Sequence, residues 1–194
     1  MTCVISYKDE DGNIYMGGDS VFIADDQLFT LGHPKIFVKE KMIFGFSGLL
    51  RINQAIQYTF DFPMHTSGME DIKYLYLFIS SLLIHLQESG FAQMDSAFDE
   101  GSFLIGYNKN IYLITEDFQI LQTNKNYVAT GIGGDFAIGS FYILENQILD
   151  PTLRLKIVLD GLSEFSFNKK SYTILKLDCQ GNSGKKLVSI NKKD

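Results

Sequence analysis

Short apolar runs alternate with polar turn residues through the first fifty residues, which is the pattern of β-strands joined by tight connections. The run 2–7 is rich in β-branched residues, and the turn signal at 9–13 separates it from a returning apolar run at 14–18. Further strands are predicted at 27–31, 35–38 and 42–46. The chain therefore begins with a strand-rich segment.

The apolar period then changes from that of strands to that of helices. Residues 48–60 carry apolar side chains at the spacing of one helix face. A longer helix is predicted over 69–88, ending at Gly90, and its apolar residues cover most of the circumference. We therefore expect this helix to be covered on more than one side.

The second half of the chain repeats this order. Strands are predicted at 102–107, 111–115, 118–122 and 127–131. A helix with Asp135 as its N-cap is predicted to run through about 146, and a second helix, with Pro151 near its first turn, to run over 150–163. Two last strands are predicted at 171–177 and 186–190.

Runs of strands separated by pairs of helices indicate an α+β protein rather than a doubly wound parallel sheet. The order favours two antiparallel sheets packed on each other, with a helix pair covering each outer face. No linker or low-complexity segment interrupts the chain, so residues 1–194 are predicted to form a single domain.

Composition narrows the classes of partner and location. The net charge of −6 and the lack of a basic surface argue against a nucleic-acid partner. The two cysteines, Cys3 and Cys179, make no disulfide framework, and no signal peptide is expected, so a cytoplasmic location is predicted. The most apolar run, 74–84, is too short to span a bilayer, and no membrane partner is expected. The histidines lack metal-ligand spacing, so neither a metal nor another cofactor is predicted.

Thr2 is the candidate nucleophile, because it directly follows Met1. Removing Met1 would expose a threonine that carries both a hydroxyl and a free α-amine, so one residue would supply nucleophile and base. An α-amine with an ordinary pKa of about 7.7–8.0 has a useful neutral fraction near pH 7. Met-Thr alone is weak evidence, since many chains begin in this way.

Three further residues complete the candidate catalytic set. Lys35 can place a positive charge beside the Thr2 hydroxyl and favour its ionised form. Asp19, at the end of the second predicted strand, can pair with Lys35 and hold it in place. The backbone N–H of Gly48 can serve as the oxyanion donor, and a glycine there lets substrate approach the main chain closely.

These elements, in this order, resemble the proteasome β-subunit and HslV family of N-terminal nucleophile (Ntn) hydrolases. The resemblance rests on Met1-Thr2, on Gly-Asp-Ser at 18–20, on Lys35, on Phe-Gly-Phe-Ser-Gly at 44–48 and on the glycine-rich segment 130–137. Residues 46–60 are most similar to a proteasome-like branch found in bacteria and phages.

The resemblance implies a four-layer αββα sandwich and a homo-oligomeric ring with its sites facing an interior chamber. It implies hydrolysis of peptide bonds through an acyl-enzyme on Thr2, with peptides or unfolded proteins as substrates. In this family a ring-shaped ATPase often delivers the unfolded substrate, so an ATPase unfoldase is an implied partner.

Some positions depart from the family pattern. Ile132 stands in the glycine-rich turn where the family usually has a serine, and an isoleucine cannot form that hydrogen bond. Glu164 and Ser166 lie in the region of the family's accessory Asp and Ser without a convincing match. Two alternatives stay open: a catalytically inactive ring-forming scaffold, and an Ntn amidase that acts on a small amide.

Overall fold

The computed structural model describes residues 3–24, 27–30, 33–48, 50–90, 101–165 and 172–186. In chain order the strands are β1 Val4–Lys8, β2 Ile14–Asp19, β3 Val21–Ala24, β4 Gln27–Thr30, β5 Ile36–Lys39, β6 Met42–Ser47, β7 Ser102–Tyr107, β8 Asn110–Ile114, β9 Ile120–Gln122, β10 Tyr127–Thr130, β11 Tyr172–Leu177 and β12 Ser183–Lys186. The helices are α1 Leu50–Tyr58, α2 Asp71–Glu88, α3 Gly134–Leu144 and α4 Pro151–Phe165.

Within these ranges the strands form two five-stranded antiparallel sheets and one small hairpin. The first sheet has the spatial order β10-β1-β2-β11-β12, and the second has the order β5-β6-β7-β8-β9. Strands β3 and β4 form the hairpin. In the first sheet Val4 lies opposite both Gly18 and Thr130, and Tyr172 lies opposite Asp19.

The core has three layers, which follow from the alternation of side chains along each strand. The middle layer lies between the sheets and includes Val4, Met16, Ile36, Ile43 and Leu104. One outer layer packs the second sheet against α1 and α2, and the other packs the first sheet against α3 and α4. The result is the predicted four-layer αββα sandwich.

Gly45 lets the two sheets approach each other closely. A Cβ atom built on Gly45 lies 2.4 Å from Val4 Cγ1 and 2.6 Å from Met16 Sδ, so no side chain fits without movement of the sheets. We expect Gly45→Ala to lower the free energy of unfolding by about 1–3 kcal/mol, because overpacking forces such movement. Urea denaturation measures this loss.

Gly139 provides the matched control for that substitution. It lies inside α3, where a built Cβ atom meets no heavy atom within 4 Å. Gly139→Ala is therefore expected to raise the free energy of unfolding by up to about 1 kcal/mol, since alanine is the better helix former. A Gly45→Ala variant as stable as wild type would contradict the tight sheet contact.

The order of strands and helices predicted from the sequence is confirmed, with three local corrections. Strand β3 was not predicted, although it continues almost directly from β2. Asp135 is not the N-cap of α3: the cap is Gly133, and Asp135 lies in the first turn. Strand β12 begins three residues before its predicted start at Lys186, and 187–190 lie outside the described residues.

Helix α2 is buried on one face only, which differs from the expected cover on several sides. Its buried residues include Leu75, Phe78 and Leu82, whereas Tyr76 is 67% and Ile84 57% exposed. Exposed apolar side chains on a long helix are typical of a surface that contacts another chain. Among the described residues, no helix has the length and apolar character needed to cross a membrane.

Candidate active site

An ion pair between Asp19 and Lys35 lies at one end of the sandwich. Lys35 Nζ donates to Asp19 Oδ1 at 2.8 Å, and the two side chains are only 3% and 8% exposed. Asp19 ends β2 of the first sheet, and Lys35 directly precedes β5 of the second. The pair therefore joins the two sheets, and both of its residues belong to the catalytic set that the sequence predicts.

The Asp19 carboxylate also holds the beginning of the chain. Its Oδ2 accepts a hydrogen bond from the Cys3 backbone N–H at 2.7 Å, and its Oδ1 accepts a second one from Val21 N–H at 3.0 Å. One carboxylate thus binds both the Lys35 ammonium and the backbone N–H of Cys3, the residue that follows Thr2. Thr2 itself lies outside the described residues, so its catalytic role stays a prediction.

The backbone around Lys35 is held by packing and by a hydrogen bond. A built Cβ atom on Gly18 lies 3.2 Å from Ile36 Cγ2, so the absence of a side chain at Gly18 allows close contact with the residue that follows Lys35. The Lys35 carbonyl accepts a hydrogen bond from Phe46 N–H at 3.1 Å, which attaches the backbone of Lys35 to β6. Both the side-chain ammonium and the backbone carbonyl of Lys35 are therefore held by hydrogen bonds.

Gly48, the predicted oxyanion donor, directly follows β6. Its φ of +140° lies in the region that favours glycine, and the residue is exposed at the end of the second sheet. Its predecessor Ser47 is buried and pairs with Ser102 of β7. Gly48 therefore lies two residues after Phe46, whose backbone N–H binds the Lys35 carbonyl. The role of Gly48 as oxyanion donor stays a prediction.

The glycine-rich segment forms a tight turn between β10 and α3 that packs on Cys3. Gly131 has a φ of +93°, and its carbonyl accepts a hydrogen bond from Gly134 N–H at 2.8 Å. A built Cβ atom on Gly133 lies 3.0 Å from Cys3 Cβ and 2.8 Å from Leu162 Cδ2. The lack of a side chain at Gly133 therefore lets this turn contact the residue next to Thr2.

Of the positions that depart from the family pattern, the described ones, Ile132 and Glu164, carry no hydroxyl. Ile132 is 81% exposed at the tip of the glycine-rich turn. Glu164 is exposed in the last turns of α4, and Ser166 lies outside the described residues. Neither Glu164 nor Ser166 gains support as an accessory catalytic residue.

Hydroxyl groups are nevertheless present beside the site, at positions that the sequence did not single out. Ser47 Oγ and Thr130 Oγ1 are 3.0 Å apart, and Thr130 Oγ1 is also bonded to Ser102 Oγ. The only signal in the sequence is their place in the motifs, because Ser47 precedes Gly48 and Thr130 precedes Gly131. Ser47 and Thr130 are 83 residues apart in the chain, and Ser102 and Thr130 are 28 residues apart, so these contacts join distant segments.

The neighbour of Asp19 on the next strand is uncharged at neutral pH. Tyr172 lies opposite Asp19 in the β2–β11 pair, and its hydroxyl donates to Asp160 Oδ1 at 2.7 Å. Burial, and then this hydrogen bond, raise the pKa of Tyr172 above its ordinary value. Among the described residues, no group of three or more His, Cys, Asp or Glu side chains is arranged to hold a metal ion.

Comparison with known proteins identifies the fold. No protein-family model matches the sequence, and no curated protein sequence matches it. Among solved structures, Thiobacillus denitrificans BPH matches with a TM-score of 0.73 and 17% identity, over 92% of this chain and 98% of that one.

Two further solved structures give the same result. The complex of Thiobacillus denitrificans BPH with epoxomicin matches with a TM-score of 0.71 and 14% identity, over 91% of this chain and 98% of that one. Eukaryotic HslV from Trypanosoma brucei matches with a TM-score of 0.64 and 14% identity, over 91% and 99% of the two chains. The chain thus has the HslV-like and proteasome-like fold of Ntn hydrolases, and the resemblance found in its sequence is confirmed at the level of fold.

Proposed function

We propose that the protein is a threonine-type peptidase of the HslV and proteasome kind, which acts once Met1 has been removed. One observation carries the proposal: the buried Asp19 carboxylate binds the Lys35 ammonium at 2.8 Å and the Cys3 N–H at 2.7 Å. The buried Lys35 is thereby held close to Cys3, the residue that follows Thr2. The resemblance of the sequence and the shared fold support the same assignment.

In the proposed first step, the α-amine of Thr2 takes the proton of the Thr2 hydroxyl, and the oxygen attacks the carbonyl carbon of the substrate. The Lys35 charge favours the ionised oxygen, while Asp19 keeps Lys35 in place. The Gly48 N–H donates to the oxyanion of the tetrahedral intermediate. The scissile C–N bond then breaks as the Thr2 α-amine gives its proton to the leaving nitrogen, which leaves an ester between the substrate acyl group and the Thr2 oxygen.

In the second step, water hydrolyses this ester. The Thr2 amine takes a proton from the water, the hydroxide attacks the ester carbonyl, and the Thr2 oxygen leaves as a hydroxyl. The same residue therefore acts as base in both halves of the reaction. No cofactor takes part in this scheme.

We further propose that the chain acts as a homo-oligomeric ring. Helices α3 and α4 expose apolar side chains on their outer surface, and the exposed face of α2 provides a second such area. On the first of these surfaces the exposed apolar residues of the two helices are Phe136, Ile138, Tyr142, Ile143, Leu153 and Ile157, and Ile148 of the connection between them is also exposed. Several exposed apolar side chains on neighbouring helices are typical of contacts between copies of a chain. The proposed ATPase unfoldase partner rests on the family resemblance alone.

A second candidate function is a ring-forming scaffold without catalysis. The exposed Ile132 side chain favours it, because the tip of the glycine-rich turn offers no hydroxyl to a substrate or to Thr2. The two candidates share fold and assembly and differ only in whether Thr2 reacts.

Turnover assays with mature protein separate the candidate functions. We expect release of the fluorophore from short peptide amides, with the acyl part of the substrate covalently bound to protein that is quenched in acid during turnover. Turnover of small amides without turnover of peptides would instead favour an Ntn amidase. Mature protein that begins at Thr2 and hydrolyses neither substrate would support the scaffold.

A further inference from the structure

Three hydroxyl groups from two sheets form a closed hydrogen-bond loop beside the proposed site. Ser47 and Ser102 belong to the second sheet, and Thr130 belongs to the first. Ser47 Oγ donates to the Ser102 carbonyl at 3.0 Å, Ser47 Oγ and Thr130 Oγ1 are 3.0 Å apart, and Thr130 Oγ1 is bonded to Ser102 Oγ. Ser47 and Thr130 are 6% and 7% exposed.

The direction of each proton in this loop follows from the acceptor at its end. A carbonyl oxygen only accepts, so Ser47 uses its single proton on the Ser102 carbonyl. Thr130 must then donate to Ser47, and Ser102 must donate to Thr130. Each of the three hydroxyls donates once, and the loop closes on the residue where it begins.

The loop lies at the roots of two glycine turns. Ser47 directly precedes Gly48, whose φ is +140°, and Thr130 directly precedes Gly131, whose φ is +93°. The first turn carries the proposed oxyanion donor, and the second packs on Cys3 through Gly133. A bond between Ser47 and Thr130 therefore fixes the position of one turn relative to the other.

We propose that Ser47, Ser102 and Thr130 are positioning residues that hold the Gly48 N–H in register with the nucleophile end of β1. This inference rests on the proposed function. The Asp19–Lys35 pair joins the two sheets at one place, and the hydroxyl loop joins them at another, between β6 and β7 of the second sheet and β10 of the first. The nucleophile and the oxyanion donor come from different sheets, so their separation depends on such contacts.

The loop also keeps the Ser47 hydroxyl out of the reaction. Ser47 is the hydroxyl residue that directly precedes Gly48, yet its proton is committed to the Ser102 carbonyl inside the sheet. Its oxygen accepts from Thr130, so both its donor and one acceptor position are occupied. The loop therefore orients the main chain at Gly48 without offering a second nucleophile.

Thr130→Val tests this inference, because valine has the shape of threonine without its hydroxyl. We expect kcat to fall by about 10–100-fold with KM within twofold of wild type, since a small misplacement of an oxyanion donor affects the transition state more than substrate binding. Thr130→Ser, which restores the hydroxyl, is expected to return kcat to within about threefold. Ser102→Ala removes only the hydroxyl that donates to Thr130. It should also lower kcat, by a smaller factor than Thr130→Val does.

Ser6→Ala is the matched control, because Ser6 is a fully buried hydroxyl of β1 that bonds the Tyr15 carbonyl at 3.1 Å. It is expected to lose stability without a change in kcat. Deuterium exchange of the peptide that contains Gly48 should be faster in Thr130→Val and unchanged in Ser6→Ala.

Exchange is measurable without turnover, so inactive wild-type protein would contradict the proposed function while exchange still decides the positioning role. The inference would be overturned if the Gly48 peptide exchanged in Thr130→Val at the wild-type rate. It would also be overturned if kcat of Thr130→Ser were as low as that of Thr130→Val.

Discussion

An Asp19→Asn variant is expected to lose about 3–5 kcal/mol of unfolding free energy and most of its peptidase activity. The substitution removes the carboxylate that binds the Lys35 ammonium, whose side chain is 3% exposed, and removing one partner of a buried pair has a cost of this size. Activity should fall by about 10²–10³-fold, the range found when one electrostatic contact to a transition state is removed. Chemical denaturation and peptide turnover measure the two effects.

The double variant Asp19→Asn, Lys35→Met separates the structural effect from the catalytic one. With both charges of the pair removed, neither is left buried without the other, so much of the lost stability should return. Activity should stay low, because the positive charge that the proposed mechanism assigns to Lys35 is gone. A double variant that recovers both stability and turnover would show that the ion pair serves the fold alone.

Glu145→Gln is the control for charge removal at the surface. Glu145 pairs with Lys125 at 2.9 Å, and the two side chains are 35% and 48% exposed. Exposed pairs of this kind contribute little to stability, so neither unfolding nor turnover should change measurably. A loss comparable to that of Asp19→Asn would indicate a general effect of net charge.

Thr2→Ala is expected to lower peptide turnover by about 10⁴-fold or more, because loss of a nucleophile removes the covalent route. Thr2→Ser keeps a hydroxyl beside the α-amine and should retain measurable turnover. Alanine and serine are both small, and the mass of each purified variant shows whether Met1 has been removed. Equal turnover by the alanine variant and wild type would exclude Thr2 as the nucleophile.

The layered fold was predictable because its signals are local. Strand and helix periods change clearly along the chain, and turn residues separate most elements. The start of α3 was misplaced because capping preferences favour aspartate, whereas the tight turn at Gly131 already starts the helix at Gly134. Strand β3 was missed because only Ser20 separates it from β2.

Part of the candidate site was predictable, and part depended on contacts between distant segments. Asp19 and Lys35 were proposed as a pair from their motifs, and the structure brings their side chains together. The bond from Cys3 N–H to Asp19 had no local signal, and the hydroxyl loop had none beyond the place of Ser47 and Thr130 directly before Gly48 and Gly131. Such contacts depend on how the two sheets align, which periodicity along one strand does not determine.

The intact mass of protein purified from its native host, before and after treatment with a peptide epoxyketone, shows whether Thr2 becomes a reactive N-terminal residue. The inhibitor's ketone and epoxide can react with a hydroxyl and a neighbouring free amine, so complete reaction needs an N-terminal Thr2. We predict a chain that begins at Thr2 and gains the mass of one inhibitor, with the adduct on the N-terminal peptide. Quantitative retention of Met1, with no adduct, would exclude Thr2 as an N-terminal nucleophile.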